Sequence, residues 1–203
     1  MLILLVLVLV SRPSLAQSRS PDDSSTQDNV YTNFFFQFRY PFTASWVPQP
    51  SSVAEELQQG GEQGAGTGAS SATDHEKSYY LLTLFRTIPG QGPSGRARAV
   101  IALVANDNST HPEIISGKEA VLLLAQKMKT RRYTLLGEPK EIKISGQSFF
   151  RQDMRTTNSA GVTTYQSMVF TTVKGYSLGF LLLSPTRSLL DGMVAGLNQF
   201  KFY

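Results

Sequence analysis

The chain of 203 residues has two histidines and no cysteine, and these counts bound its chemistry first. Without cysteine there is no disulfide, no thiolate nucleophile, no zinc-thiolate site and no lipidated cysteine. His75 lies in a glycine-rich stretch, and His111 lies in the run Asp107-Asn108-Ser109-Thr110-His111-Pro112-Glu113. A serine hydrolase needs a histidine held rigidly beside its nucleophile, and neither histidine sits in a regular pattern. No Gly-x-Ser-x-Gly, Ser-x-x-Lys or paired-histidine motif occurs. The best ligand set is Asp107, His111 and Glu113, whose oxygen and nitrogen donors suit a metal ion. The plainer reading is a solvated turn in which Asp and Asn bond their own backbone. Asn108-Ser109-Thr110 also matches an N-glycosylation acceptor.

Two further charged groups stand out. Lys127, Lys129, Arg131 and Arg132 form the one concentrated basic patch, at the end of an expected helix. Cations there complement the negative end of the helix dipole; the functional alternative is a docking surface for an acidic protein or for anionic lipid head groups. Arg151, Asp153 and Arg155 alternate along an expected strand, so they share one face and would pair across strands or grip an anion.

Composition says where these residues work. Leu2 to Val10 is an unbroken aliphatic run, followed by Arg12, Pro13 and then Ser14-Leu15-Ala16. That pattern is a secretory signal over residues 1–16, with cleavage before Gln17. A spanning helix needs about 20 apolar residues, and this run stops early. No Lys or Arg precedes the run, which admits a start codon further upstream. The formal net charge of +4 is too small for a nucleic-acid-binding signature. The expected product is an exported protein, periplasmic or extracellular and soluble after cleavage, with one core.

Several elements must position these side chains. Gln17 to Asn29 is mostly polar and reads as a disordered leader. Order is expected from Val30, through an extended segment holding Tyr31, Phe34, Phe35, Phe36, Phe38, Tyr40 and Phe42 and ended by Pro41 and Pro48. Residues 49–77, rich in Gly, Ser and Gln, read as a flexible insertion, with a short helix at Val53 to Gln59. Tyr79 to Ile88 reads as a strand, with Tyr80, Leu82, Leu84 and Ile88 on one side. Ala99 to Ala105 is apolar throughout, as a central strand covered on both faces would be. Ser116 and Glu119 form a capping box for a helix whose buried stripe is Ala120, Leu123, Leu124 and Met128. Glu141 to Ile144 alternates as a charged edge strand. A meander follows over Ser148 to Arg155, Val162 to Val173 and Tyr176 to Leu182, with Lys174-Gly175 as a primed turn. Ser184 and Pro185 open a last helix that buries Leu189, Leu190, Met193, Val194 and Leu197. Phe200, Phe202 and Tyr203 fasten the end.

The run Phe36-Gln37-Phe38-Arg39-Tyr40-Pro41-Phe42, followed by Trp46-Val47-Pro48, resembles the opening of PsbP-like domains: a first strand, a Tyr-Pro turn and a tryptophan that pins the chain to the sheet. The order of elements extends the resemblance over Tyr31 to Tyr203, with residues 49–77 as a departure from the family pattern. The family includes extrinsic subunits of the photosynthetic oxygen-evolving complex, Ran-binding relatives and many exported bacterial proteins of unknown role. The resemblance implies an α+β fold over residues 30–203: a twisted, mostly antiparallel sheet flanked by helices on both faces, a PsbP-like α/β/α sandwich. It also implies work without catalysis or cofactor, through contact with a protein partner in the envelope, an anionic membrane surface being the alternative surface partner. Two other functions stay open. One is a carrier with an apolar pocket between the sheet and the helix from Gly117, and the other is a weak metal-dependent enzyme at Asp107, His111 and Glu113.

Overall fold

A computed structural model describes residues 19–50, 77–89, 96–129 and 133–203. The run expected to be a secretory signal and most of the glycine-rich insertion, with the short helix expected there and His75, lie outside the described residues. Among the described residues, two α-helices and two sheets make an α+β fold, and every strand pair is antiparallel.

The smaller sheet has the order β1-β2-β3-β12, with β1 at Ser24–Gln27, β2 at Val30–Asn33, β3 at Phe38–Pro41 and β12 at Lys201–Phe202. Two expectations are corrected here. Order begins before Val30, because Ser24–Gln27 pairs residue for residue with β2. A fully exposed edge strand is held by backbone hydrogen bonds, which a composition argument does not see. The aromatic segment is also a hairpin and not one strand: residues 34–37 turn, with Gln37 at φ 59° and the Asn33 Oδ1 accepting from the Phe36 amide at 2.7 Å.

The larger sheet runs β4 (Val47–Gln49), β5 (Ser78–Pro89), β6 (Arg96–Asp107), β11 (Tyr176–Ser184), β10 (Thr163–Val173), β9 (Gln147–Thr157) and β7 (Thr134–Leu135), with β8 (Lys140–Ile144) also on β9. The apolar run of β6 is central, as its pattern requires. Its alternate residues join separate cores: Ile101, Leu103 and Ala105 one, Ala102 and Val104 the other. In β5 a bulge between Tyr80 and Leu82 breaks the expected alternation. Tyr80 therefore packs with the second core, while Leu81, Leu82 and Leu84 join the first. The β10–β11 turn has Lys174 at φ 53° and Gly175 at φ 81°, the left-handed pair a primed turn needs.

The helix α1 (Gly117–Lys129) buries Ala120, Val121 and Ala125 against Met154, Met168 and Phe170. Its stripe is rotated from the expected one: Leu123, Leu124 and Met128 are only partly buried. Small residues face the sheet because the helix lies close to it. A Cβ at Gly117 would overlap the Phe170 carbonyl. The helix α2 (Arg187–Gly196) buries Leu190 and Met193 in the first core, with Leu197 just beyond it. Its cap is Thr186, whose hydroxyl accepts from the Leu189 amide at 3.3 Å. The expected cap, Ser184, instead accepts the Thr186 amide, two residues on, at 3.3 Å, so Pro185 lies outside the helix.

Candidate functional site

The chemistry-bearing side chains fall in three places. The first is the loop after β6. Asp107 accepts the Ser109 amide at 2.9 Å, and the His111 amide reaches the Asn108 carbonyl at 2.9 Å, so the backbone is wound into consecutive turns. The Asn108 side chain is buried, and its Oδ1 accepts from the Ser177 hydroxyl at 2.7 Å. His111 Nδ1 lies 2.9 Å from a Glu113 carboxylate oxygen. The Glu113 carboxyl sits below its ordinary range, first through its own backbone amide and then through His111. Asp107 and His111 line an open hollow of about 560 Å³ together with Ile115, Lys174 and Tyr176. Among the described residues, no group of three or more His, Asp or Glu side chains is gathered to hold a metal ion.

The second place is the end of α1. Its start is tied down as its sequence requires: Glu119 accepts from the Ser116 amide at 2.8 Å and from the Ser116 hydroxyl at 2.6 Å, and Ser116 Oγ accepts the Lys118 amide at 3.2 Å. The Glu119 carboxyl is held below its ordinary range, chiefly by the Ser116 hydroxyl. Of the basic patch, Lys127 is exposed and Lys129 ends the helix. Arg131 and Arg132 lie outside the described residues.

The third place is the charged face of β9, and it points inward. Arg151 is 7% and Asp153 4% exposed, beside the fully buried Phe149 on the same face. Arg151 Nε donates to Asp153 at 2.7 Å and to Ser167 of β10 at 3.1 Å, and its NH2 donates to Asp191 of α2 at 2.6 Å. Arg187 closes the ring, donating to the second Asp153 oxygen at 2.7 Å and to Asp191 at 3.2 Å. Ser167 also donates to Asp153. Burial works against the Arg151 charge, but its hydrogen bonds to Asp191 and Asp153 outweigh it and raise its pKa. Asp191 is pushed down, first by Arg151 and then, against some burial, by Arg187. The expected pairing on this face is therefore made along the strand and to a helix, and Arg155 stays outside it, exposed. Sequence reading missed Arg187 and Asp191. Their i,i+4 spacing was the available signal.

No family model and no curated protein sequence matches the chain. Among solved structures, it is similar to a cyanobacterial PsbP from Synechocystis: 12% identity, TM-score 0.49, covering 86% of this chain and 91% of that one. It is also similar to LpqN of Mycobacterium tuberculosis, involved in cell envelope biogenesis, at 13% identity, TM-score 0.46 and coverage of 81% and 82%. A protein of unknown function from Pseudomonas aeruginosa shares 18% identity at TM-score 0.39, over 64% of this chain and 82% of that one. Among the described residues, no helix is long and apolar enough to cross a membrane.

Proposed function

We propose that the protein is an exported, non-catalytic binding module that works through surface contact with a protein partner in the envelope. One observation carries this reading: the side chains best suited to chemistry are used by the fold itself. Asp107 closes a turn, His111 and Glu113 pair with each other, and Arg151, Asp153, Arg187 and Asp191 lock a helix to the sheet. A PsbP-like sandwich with one helix on each face fits the alternation of β6, whose two sets of residues join separate cores. One core contains α1 residues and the other α2 residues. The carrier reading has less support, because the space between α1 and the sheet is filled by packed side chains.

The basic end of α1 is the proposed contact surface, and an acidic protein face is the complement it favours. The experiment compares the mature protein with a variant carrying Lys127→Glu, Lys129→Glu, Arg131→Glu and Arg132→Glu, cross-linked in the native envelope fraction. The expected result is a defined protein cross-linked to the native form and lost with the variant, both forms having the same circular dichroism. Equal cross-linking by both forms overturns the assignment of the surface. Cross-linking by neither overturns the reading.

A further inference from the structure

A cleft of about 280 Å³ lies between α2 and the chain that leaves β3. Leu189, Gly192, Met193 and Gly196 form one wall, Phe42 and Trp46 face them, and Arg86 of β5 is the one charged side chain among the described residues of the lining. Three features set this cleft apart from an ordinary packing defect.

The first is Arg86. It is half-buried, yet among the described residues it has no hydrogen-bond or ion-pair partner. Arg39, Arg98, Arg151, Arg155 and Arg187, by contrast, are each in an ion pair, over a ring or exposed. A guanidinium recessed in an apolar cleft without a counter-charge favours an anion that brings its own apolar body.

The second feature is the pair of glycines. Each costs α2 helix stability relative to alanine. Close packing does not demand them, because a Cβ at Gly192 or Gly196 would meet nothing within 4 Å. Their effect is to keep that wall open. Leu189, Gly192, Met193 and Gly196 follow one helical stripe, so the wall is elongated, about 10 Å along the helix axis. The third feature is composition: the volume lies just below the usual range for ligand sites, and the lining is mostly apolar, with Arg86 as its one charge beside the polar Thr43 and Gln199.

We infer that this cleft binds a small linear aliphatic carboxylate, with its head on Arg86 and its chain along the glycine-lined wall of α2 beneath Trp46. The site is independent of the basic end of α1, so loss of either leaves the other testable.

Trp46 is the only tryptophan in the chain, and its emission reports on the cleft directly. The probe is sodium decanoate, titrated below its micelle threshold into the full mature protein, with decanol as the uncharged control. Decanoate is expected to shift Trp46 emission saturably, and to bind at least about tenfold tighter than decanol, as a charge-assisted pair in a recessed site would require. Arg86→Ala should remove that preference. Gly192→Leu places a side chain in open space on a helix that gains propensity, so its unfolding midpoint should hold or rise while decanoate binding is lost. The inference falls if decanoate produces no saturable shift, or if decanol binds equally well. It also falls if Gly192→Leu folds and still binds decanoate like the native protein.

Discussion

At the scale of single residues, the most consequential side chain is Asp153. It is 4% exposed and accepts from Arg151, Arg187 and Ser167 together, so its carboxylate is the hub of a ring of alternating charges. Desolvating such a ring offsets most of its Coulomb attraction, and replacing the whole ring by packed apolar groups can be neutral. Removing one member is different, because it strands a charge. Asp153→Ala leaves Arg151 buried beside Phe149 with only Asp191 to answer it, and should lower stability by about 3 kcal/mol in urea unfolding. A joint Arg151→Met, Asp153→Leu variant should lose less than Asp153→Ala alone, which separates a stranded charge from lost packing.

At the scale of elements, the same ring decides how α2 sits. Apolar burial of Leu190, Met193 and Leu197 presses the helix onto the sheet but lets it slide, whereas Arg187 and Asp191 fix its rotation to β9. That fixing depends on pH. Asp191 has a lower pKa folded than unfolded, so the unfolded chain binds the extra proton and acid favours unfolding. Its contribution is complete above the unfolded value near 4 and is lost as the pH falls through the depressed folded value. Asp191→Asn should therefore flatten the acid limb of the stability profile below about pH 4, followed by thermal melts across pH 2 to 7. An unchanged limb would place the acid sensitivity elsewhere. Glu119, held down at the cap of α1, is the control group titrating in the same direction.

At the scale of the whole molecule, Phe200 joins the small sheet to the large one. It is fully buried, and its ring lies 4.6 Å from Phe38, 5.3 Å from Phe180, 6.1 Å from Phe149 and 5.0 Å from Phe202. Those contacts tie β3 of the small sheet, β9 and β11 of the large one and the terminal strand β12 into one core. Phe200→Ala should cost about 3–5 kcal/mol. Because β12 pairs with β3, hydrogen exchange should rise in the small sheet more than in β6. Uniform acceleration would mean that the two sheets open as one unit.

The sequence alone determined the elements whose signals are local. The Lys174-Gly175 turn, the Ser116 and Glu119 cap, the central apolar strand and the stripe of α2 follow from φ preference, hydrogen-bonding reach and periodicity within a few residues. It also determined the chemistry the chain lacks, since no fold can supply a cysteine. Tertiary structure decided everything that depends on which surfaces meet. The polar segment Ser24–Gln27 became a strand because a partner backbone was available. The charged face of β9 turned inward because Arg187 and Asp191 arrive from residues far along the chain. The bulge after Tyr80 reversed the sense of the alternation that follows it. The cleft beside Trp46 exists only because two glycines of α2 face an arginine of β5 about a hundred positions away, a juxtaposition that no spacing in the sequence encodes.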